Sequence, residues 1–124
     1  MPVRDGDNRR RRVLVIEDDS DIASLLSEIL ENEGYTAVAA SDGDDVKAQL
    51  DPRPDLIVLD LRLTRGSADQ ILQSVRERGM GDVPVILLSA AGDLAERANE
   101  LGANAYLAKP FELEELLVVV RRFV

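Results

Sequence analysis

Continuous apolar runs alternate along this chain with segments whose apolar residues recur three and four positions apart. Val13-Leu14-Val15-Ile16, Leu56-Ile57-Val58-Leu59 and Val83 to Leu88 are unbroken runs, the mark of strands buried on both faces. They predict strands at about 12–17, 55–60 and 83–88, and Tyr35–Ala39 and Ala103–Leu107 predict two shorter ones. Between them, Ile22, Leu25, Leu26, Ile29 and Leu30 repeat at helical spacing, with Ser20 or Asp19 to cap the segment and Gly34 to end it. Asp42 to Leu50 predicts a weaker helix with a thin apolar face. Ala68, Ile71, Leu72 and Val75 predict a third, closed by Gly79 and Gly81. Leu94, Ala95, Ala98 and Leu101 predict a fourth, ended by Gly102. The last opens at Pro110 and carries Leu113, Leu116, Leu117 and Val120. Its run from Leu116 to Val120 is wider than one core-facing stripe, so it is expected to meet a partner as well as its own sheet.

Five strands alternating with five helices across short loops imply an α/β domain with a parallel sheet covered on both faces. Right-handed crossovers then give a doubly wound, flavodoxin-like sheet of order 2-1-3-4-5. Residues 1–11 are polar and arginine-rich and are expected to be a flexible tail, with one domain over 12–124.

Composition narrows the chemistry. The 124 residues carry 15 basic and 24 acidic side chains, a net charge of −9, which argues against direct nucleic-acid binding. There is no cysteine and no histidine, which removes disulfides, thiolate chemistry, His-based triads and His metal ligands. No apolar stretch approaches the ~20 residues of a membrane span. A cytoplasmic location is expected.

Two apolar runs stop abruptly on acids: the first on Glu17, Asp18 and Asp19, the third on Asp60. In the expected order these strands flank the switch point, where open α/β sheets bind ligands at their carboxyl ends. Ser89 follows the fourth strand and Lys109 the fifth, so four features converge on one edge. Clustered carboxylates repel one another unless a divalent cation sits among them, and three of them can hold Mg²⁺. A phosphoryl group beside that ion would have its oxygens neutralised by Mg²⁺, by the Lys109 ammonium, and by the Ser89 hydroxyl with nearby backbone N–H groups. Asp60 is then the nucleophile that attacks phosphorus in line, giving an acyl phosphate. Ala90 is small enough to leave room beside Ser89.

Four pieces, Val15-Ile16-Glu17-Asp18-Asp19, Asp55 to Asp60, Val83 to Ala90, and Ala108-Lys109-Pro110-Phe111, stand in an order and spacing that closely resemble the receiver domains of two-component response regulators. Each piece is weak alone; the four together are specific. The resemblance implies that Asp60 takes phosphate from a phosphohistidine of a sensor histidine kinase or histidine phosphotransfer protein, or from small acyl phosphates. It implies Mg²⁺ on Glu17, Asp18 and Asp60 with the backbone carbonyl of Arg62. Ser89 and Tyr106 would be a switch pair, and Lys109–Pro110 a cis peptide. Output would pass to a downstream protein through the face of helix 4, strand 5 and helix 5, which is also the candidate surface for a phosphorylation-dependent homodimer.

The loop Leu61-Arg62-Leu63-Thr64-Arg65-Gly66-Ser67-Ala68 departs from the family, which often has Pro where Thr64 stands and Gly where Ala68 stands. Arg62 puts a guanidinium beside the site and is expected to alter aspartyl-phosphate lifetime. Two other classes compete with the switch. One is a receiver-like interaction module that no longer uses phosphate. The other is a haloacid dehalogenase-type phosphatase, suggested by Asp60-Leu61-Arg62-Leu63-Thr64, but Arg62 stands where that motif needs its second acid.

Overall fold

A computed structural model of the chain describes residues 11–60, 68–90 and 94–124. Its strands β1 (Arg12–Ile16), β2 (Thr36–Ala40), β3 (Leu56–Asp60), β4 (Val85–Ser89) and β5 (Ala105–Ala108) form one parallel sheet in the order β2-β1-β3-β4-β5. The crossovers carry α1 (Ser20–Asn32), α2 (Gly43–Ala48), α3 (Ala68–Glu77) and α4 (Leu94–Leu101), and α5 (Leu113–Arg121) follows β5. This is the flavodoxin-like arrangement expected from the alternation of runs.

Strand alternation divides the core into two layers. Leu14, Ile16, Ile57, Leu59 and Leu87 face α2, α3 and α4. Val13, Val15, Val58, Ile86 and Leu88 face α1 and α5. Because β1, β3 and β4 are covered on both sides, every position in β3 and β4 is buried, which is why those segments read as unbroken apolar runs.

Several boundaries differ from the sequence expectation, each for a local reason. Tyr35 is not the start of β2: its N–H bonds to Leu30 O and closes α1 at Gly34, whose φ is 98°. β4 begins at Val85, after Pro84, which lacks an N–H to give to the ladder. β5 begins at Ala105 because the Ala103 N–H is used to close α4 on Ala98 O. α5 does not open at Pro110. It opens at Leu113 with Glu112 as its cap, in a reciprocal box where the Glu112 N–H bonds to Glu115 Oε1 at 2.8 Å. Asp19, not Ser20, caps α1, its Oδ1 accepting from Asp21 N at 2.9 Å and Ile22 N at 3.2 Å. Leu25 was expected on the buried stripe of α1 but is 57% exposed.

Two arginines fasten loops to the layers. Arg12 gives its Nε to Pro52 O at 2.9 Å and its Nη2 to Gln49 O at 2.8 Å, while its backbone N–H bonds to Asp55 Oδ2 at 2.8 Å. Arg76 of α3 donates to Leu101 O, the last carbonyl of α4, beside Gly102 with φ of 72°.

Candidate functional site

The parallel register assembles the site. Ile16 lies opposite Leu59, so one step further along the two strands Glu17 comes beside Asp60. Asp60 in turn lies opposite Leu88, one residue before Ser89, and Ser89 lies opposite Ala108, one residue before Lys109. The Lys109 N–H bonds to Ser89 O at 2.9 Å and fixes where the lysine leaves the sheet. The Lys109–Pro110 peptide is cis. Glu17, Asp60, Ser89 and Lys109 therefore share the carboxyl edge around β3, the central strand.

Three of these side chains are buried: Glu17 is 2% exposed, Asp60 1% and Ser89 4%. Lys109 reaches Asp60 from a half-buried stem and pairs its Nζ with Asp60 Oδ2. Glu17 is held by its own backbone, whose N–H bonds to Ala40 O at 3.0 Å, and by the Asp19 N–H, which gives to Glu17 Oε2 at 3.1 Å. Among the described residues no donor reaches Glu17 Oε1, although that atom is buried. Burial, then contact with the Asp60 carboxyl, pushes Glu17 up to about 7 from an ordinary 4.5; the Asp19 N–H and the more distant Lys109 charge offset only part of this.

Asp18 is exposed and, with Glu17, lines a cleft of about 180 Å³ between the first turn of α1 and the ends of β2 and α2. Glu17 and Asp60 thus meet as a pair; among the described residues no set of three acids closes around one point. The donor set nevertheless suits a hard cation. Its ligands are carboxylate oxygens, one of them buried without a donor, and Mg²⁺ takes one or two carboxylates and keeps waters for the rest. The Arg62 carbonyl, expected as a further ligand, lies outside the described residues. Tyr106 is on β5 but 48% exposed, so its ring is not brought into the site. Ala90 and Pro110 are exposed beside Ser89 and Lys109.

Sequence reasoning missed the part played by Asp19 and Ala40, whose backbone groups orient Glu17. Nothing in the run Glu17-Asp18-Asp19 marks it, since the bond to Ala40 depends on the β1–β2 register and the bond from Asp19 on the turn into α1. The apolar strand ending on an acid was the signal that found the side chains.

Fold and site together define a flavodoxin-like α/β domain with a buried acid–lysine cluster at the carboxyl edge of its sheet. Comparison with known proteins gives the family. Residues 13–121 match the response regulator receiver domain, and the chain belongs to that family. It is 38% identical over 115 residues to the phosphate regulon transcriptional regulatory protein PhoB of Escherichia coli, covering 90% of this chain and 50% of that protein. It is 39% identical over 113 residues to the transcriptional regulatory protein DltR of Streptococcus agalactiae, covering 89% and 50%. The chain thus spans about half the length of these curated relatives. Among solved structures, the receiver domain of NtrX from Brucella abortus superposes with a TM-score of 0.78 at 31% identity, covering 89% of this chain and 95% of that one. The chemotaxis protein CheY4 of Vibrio cholerae has a TM-score of 0.83 at 24% identity, covering 93% and 99%, a likeness of fold. The domain is a signalling module of two-component systems, which decides against the haloacid dehalogenase class. Among the described residues no helix is long and apolar enough to cross a membrane.

Proposed function

We propose that Asp60 is the phosphoacceptor of a two-component or phosphorelay switch. The observation that carries this reading is the buried Asp60–Lys109 pair with Glu17 against it, at the ligand-binding edge of the sheet. An Asp60 carboxylate oxygen forms a bond to phosphorus as the bond from phosphorus to a phosphohistidine nitrogen breaks. The electron pair stays on the imidazole, which takes a proton from solvent. The donor is a sensor histidine kinase or a histidine phosphotransfer protein, and acetyl phosphate serves in its place with acetate as leaving group. Lys109 balances charge on the phosphoryl oxygens, and the Ser89 hydroxyl donates to one of them. Glu17, Asp18 and Asp60, with the Arg62 carbonyl, would hold Mg²⁺, which supplies charge neutralisation at the phosphoryl group.

Ser89 and Tyr106 act as the switch pair, the exposed Tyr106 ring turning inward when Ser89 is drawn to the phosphoryl group. That change shifts the populations of a partner-binding surface formed by α4, β5 and α5. The working unit is residues 12–124 with residues 1–11 as a tail, acting in the cytoplasm without binding nucleic acid itself.

Intact-mass measurement after incubation with acetyl phosphate and Mg²⁺ tests this. A labile adduct of one phosphoryl group that needs Mg²⁺ and is absent from Asp60→Ala is the expected result. A chain that takes up no phosphoryl group under any condition would instead be a phosphate-independent interaction module.

A further inference from the structure

The run Glu17-Asp18-Asp19 holds three acids, and the third is not placed as a metal ligand. Asp19 Oδ1 already accepts two bonds, from Asp21 N at 2.9 Å and Ile22 N at 3.2 Å. Among the described residues no three acids close around one point. The carbonyl of Asp19 accepts a further bond, from Ala23 N at 2.9 Å, which begins the ladder of α1. Side chain and carbonyl together fasten this residue to the first turn of the helix, with an extended backbone at φ −86° and ψ 113°.

The N–H of Asp19 points the other way, to Glu17 Oε2 at 3.1 Å. The two oxygens of Glu17 are thereby made unlike: Oε2 has its donor, and Oε1 has none among the described residues. Glu17 is 2% exposed, so bulk water cannot stand in for the missing turn. An N–H on a carboxylate also favours its ionised form, the form that takes a cation. On the far side the Glu17 N–H is anchored to Ala40 O at 3.0 Å. Glu17 is thus held between β2 and the first turn of α1, and a shift of that turn moves its donor.

We propose that Asp19 is a positioning residue for Glu17: its carboxylate sets the first turn of α1, and that turn sets the N–H that orients the Glu17 carboxylate. The requirement is for a side chain that caps the helix, not for a negative charge. The inference rests on the reading of Glu17 as a Mg²⁺ ligand and deepens it, because it ties α1 to the cation site. By reciprocity, the first turn of α1 tightens when Mg²⁺ is bound.

The test is titration of the isotopically labelled full chain with MgCl₂, followed by amide resonances, with amide hydrogen exchange measured with and without the ion. Asp19→Ala is expected to bind Mg²⁺ about tenfold more weakly, the lower end of what loss of a partner behind a metal ligand costs. Asp19→Asn and Asp19→Ser keep a capping oxygen and are expected to stay within about threefold of the wild type, the screened effect of one charge. Gly34→Ala strains the other end of the same helix, where φ is 98°, and is expected to lower stability with Mg²⁺ affinity unchanged. Exchange of the Ala23 amide should slow with Mg²⁺ in the wild type and slow much less in Asp19→Ala. Asp19→Ala binding as tightly as the wild type overturns the proposal. Asp19→Asn as weak as Asp19→Ala overturns it too, by assigning the effect to charge. A wild type that binds no Mg²⁺ removes the metal reading, and the amide of residue 19 then decides the link from cap to Glu17. Faster exchange there in Asp19→Ala, with wild-type exchange in Asp19→Asn, supports the link; equal exchange in all three overturns it.

Discussion

Glu17→Gln is expected to make the domain more stable, and only above the pH at which an ordinary glutamate ionises. In the unfolded chain this carboxyl titrates near 4.5, and in the fold it is held up to about 7 by burial and by the Asp60 carboxyl. Below pH 4.5 both states carry the proton and the group contributes nothing. Between 4.5 and about 7 the unfolded chain has released it while the fold keeps it, so stability falls as pH rises through that window. Above about 7 the cost is constant. At ~1.36 kcal/mol for each tenfold change in proton affinity, the full cost is about 3 kcal/mol. Glutamine removes the ionisation, and its side-chain oxygen can still accept from the Asp19 N–H. The difference in unfolding free energy between variant and wild type, from urea titrations in chelator at a series of pH values, should rise through that window and then level off. With urea slopes of about 1–3 kcal/mol per molar, the midpoint should move by about 1–3 M at pH 8. Added Mg²⁺ should narrow the gap by stabilising the wild type, which keeps the carboxylate ligand. A difference that is flat across the window, or a variant less stable than wild type at pH 8, would refute the reasoning.

Arg12→Ala should lower stability by about 1–2 kcal/mol by freeing the Pro52 and Gln49 carbonyls, with Arg12→Lys recovering little because one ammonium cannot span both; a urea midpoint unchanged in the alanine variant refutes this. Gly34→Ala and Gly102→Ala both force a side chain onto positive φ at about 1–2 kcal/mol. The second should lose more in thermal melts, because its Cβ would stand 3.2 Å from Arg76 Nη2 and push the guanidinium off Leu101 O; equal losses count against that contact. On the proposed phosphoacceptor role of Asp60, Arg62→Ala should change the aspartyl-phosphate lifetime, and an unchanged dephosphorylation rate counts against a role for Arg62.

The sheet was legible because burial on both faces forces unbroken apolar runs in the three central strands, and these with two shorter strands and the helical segments between them leave few topologies. The cluster was legible for a related reason: an apolar run that stops on Asp60 or Glu17 has no packing explanation for the acid. What could not be read was every feature set by side chains reaching across elements. Arg12, at the start of the first strand, fastens the loop at Pro52, a contact with no mark in the sequence. Arg76 of α3 caps α4 at Leu101 O, which nothing in the spacing of either helix announces. Strand and helix ends slipped by a few residues wherever a backbone N–H at Tyr35 or Ala103 was taken by the preceding helix. The breadth of the apolar run in α5 was visible, but which of its valines turns outward depends on the angle at which the helix meets β5.

Two buried acids, Glu17 and Asp60, meet at one edge of the sheet, with Lys109 paired to Asp60. Burial first, and the Asp60 carboxyl second, raise the proton affinity of Glu17, and among the described residues no donor reaches its Oε1. Hydrophobic residues at the same edge would fold more comfortably, since a buried charge that lacks a partner is destabilising. The about 3 kcal/mol held at Glu17 corresponds to a factor of roughly 150 in an equilibrium. A cation that binds these carboxylates would relieve that cost. Glu17→Gln should therefore give a more stable fold with a weaker response to Mg²⁺.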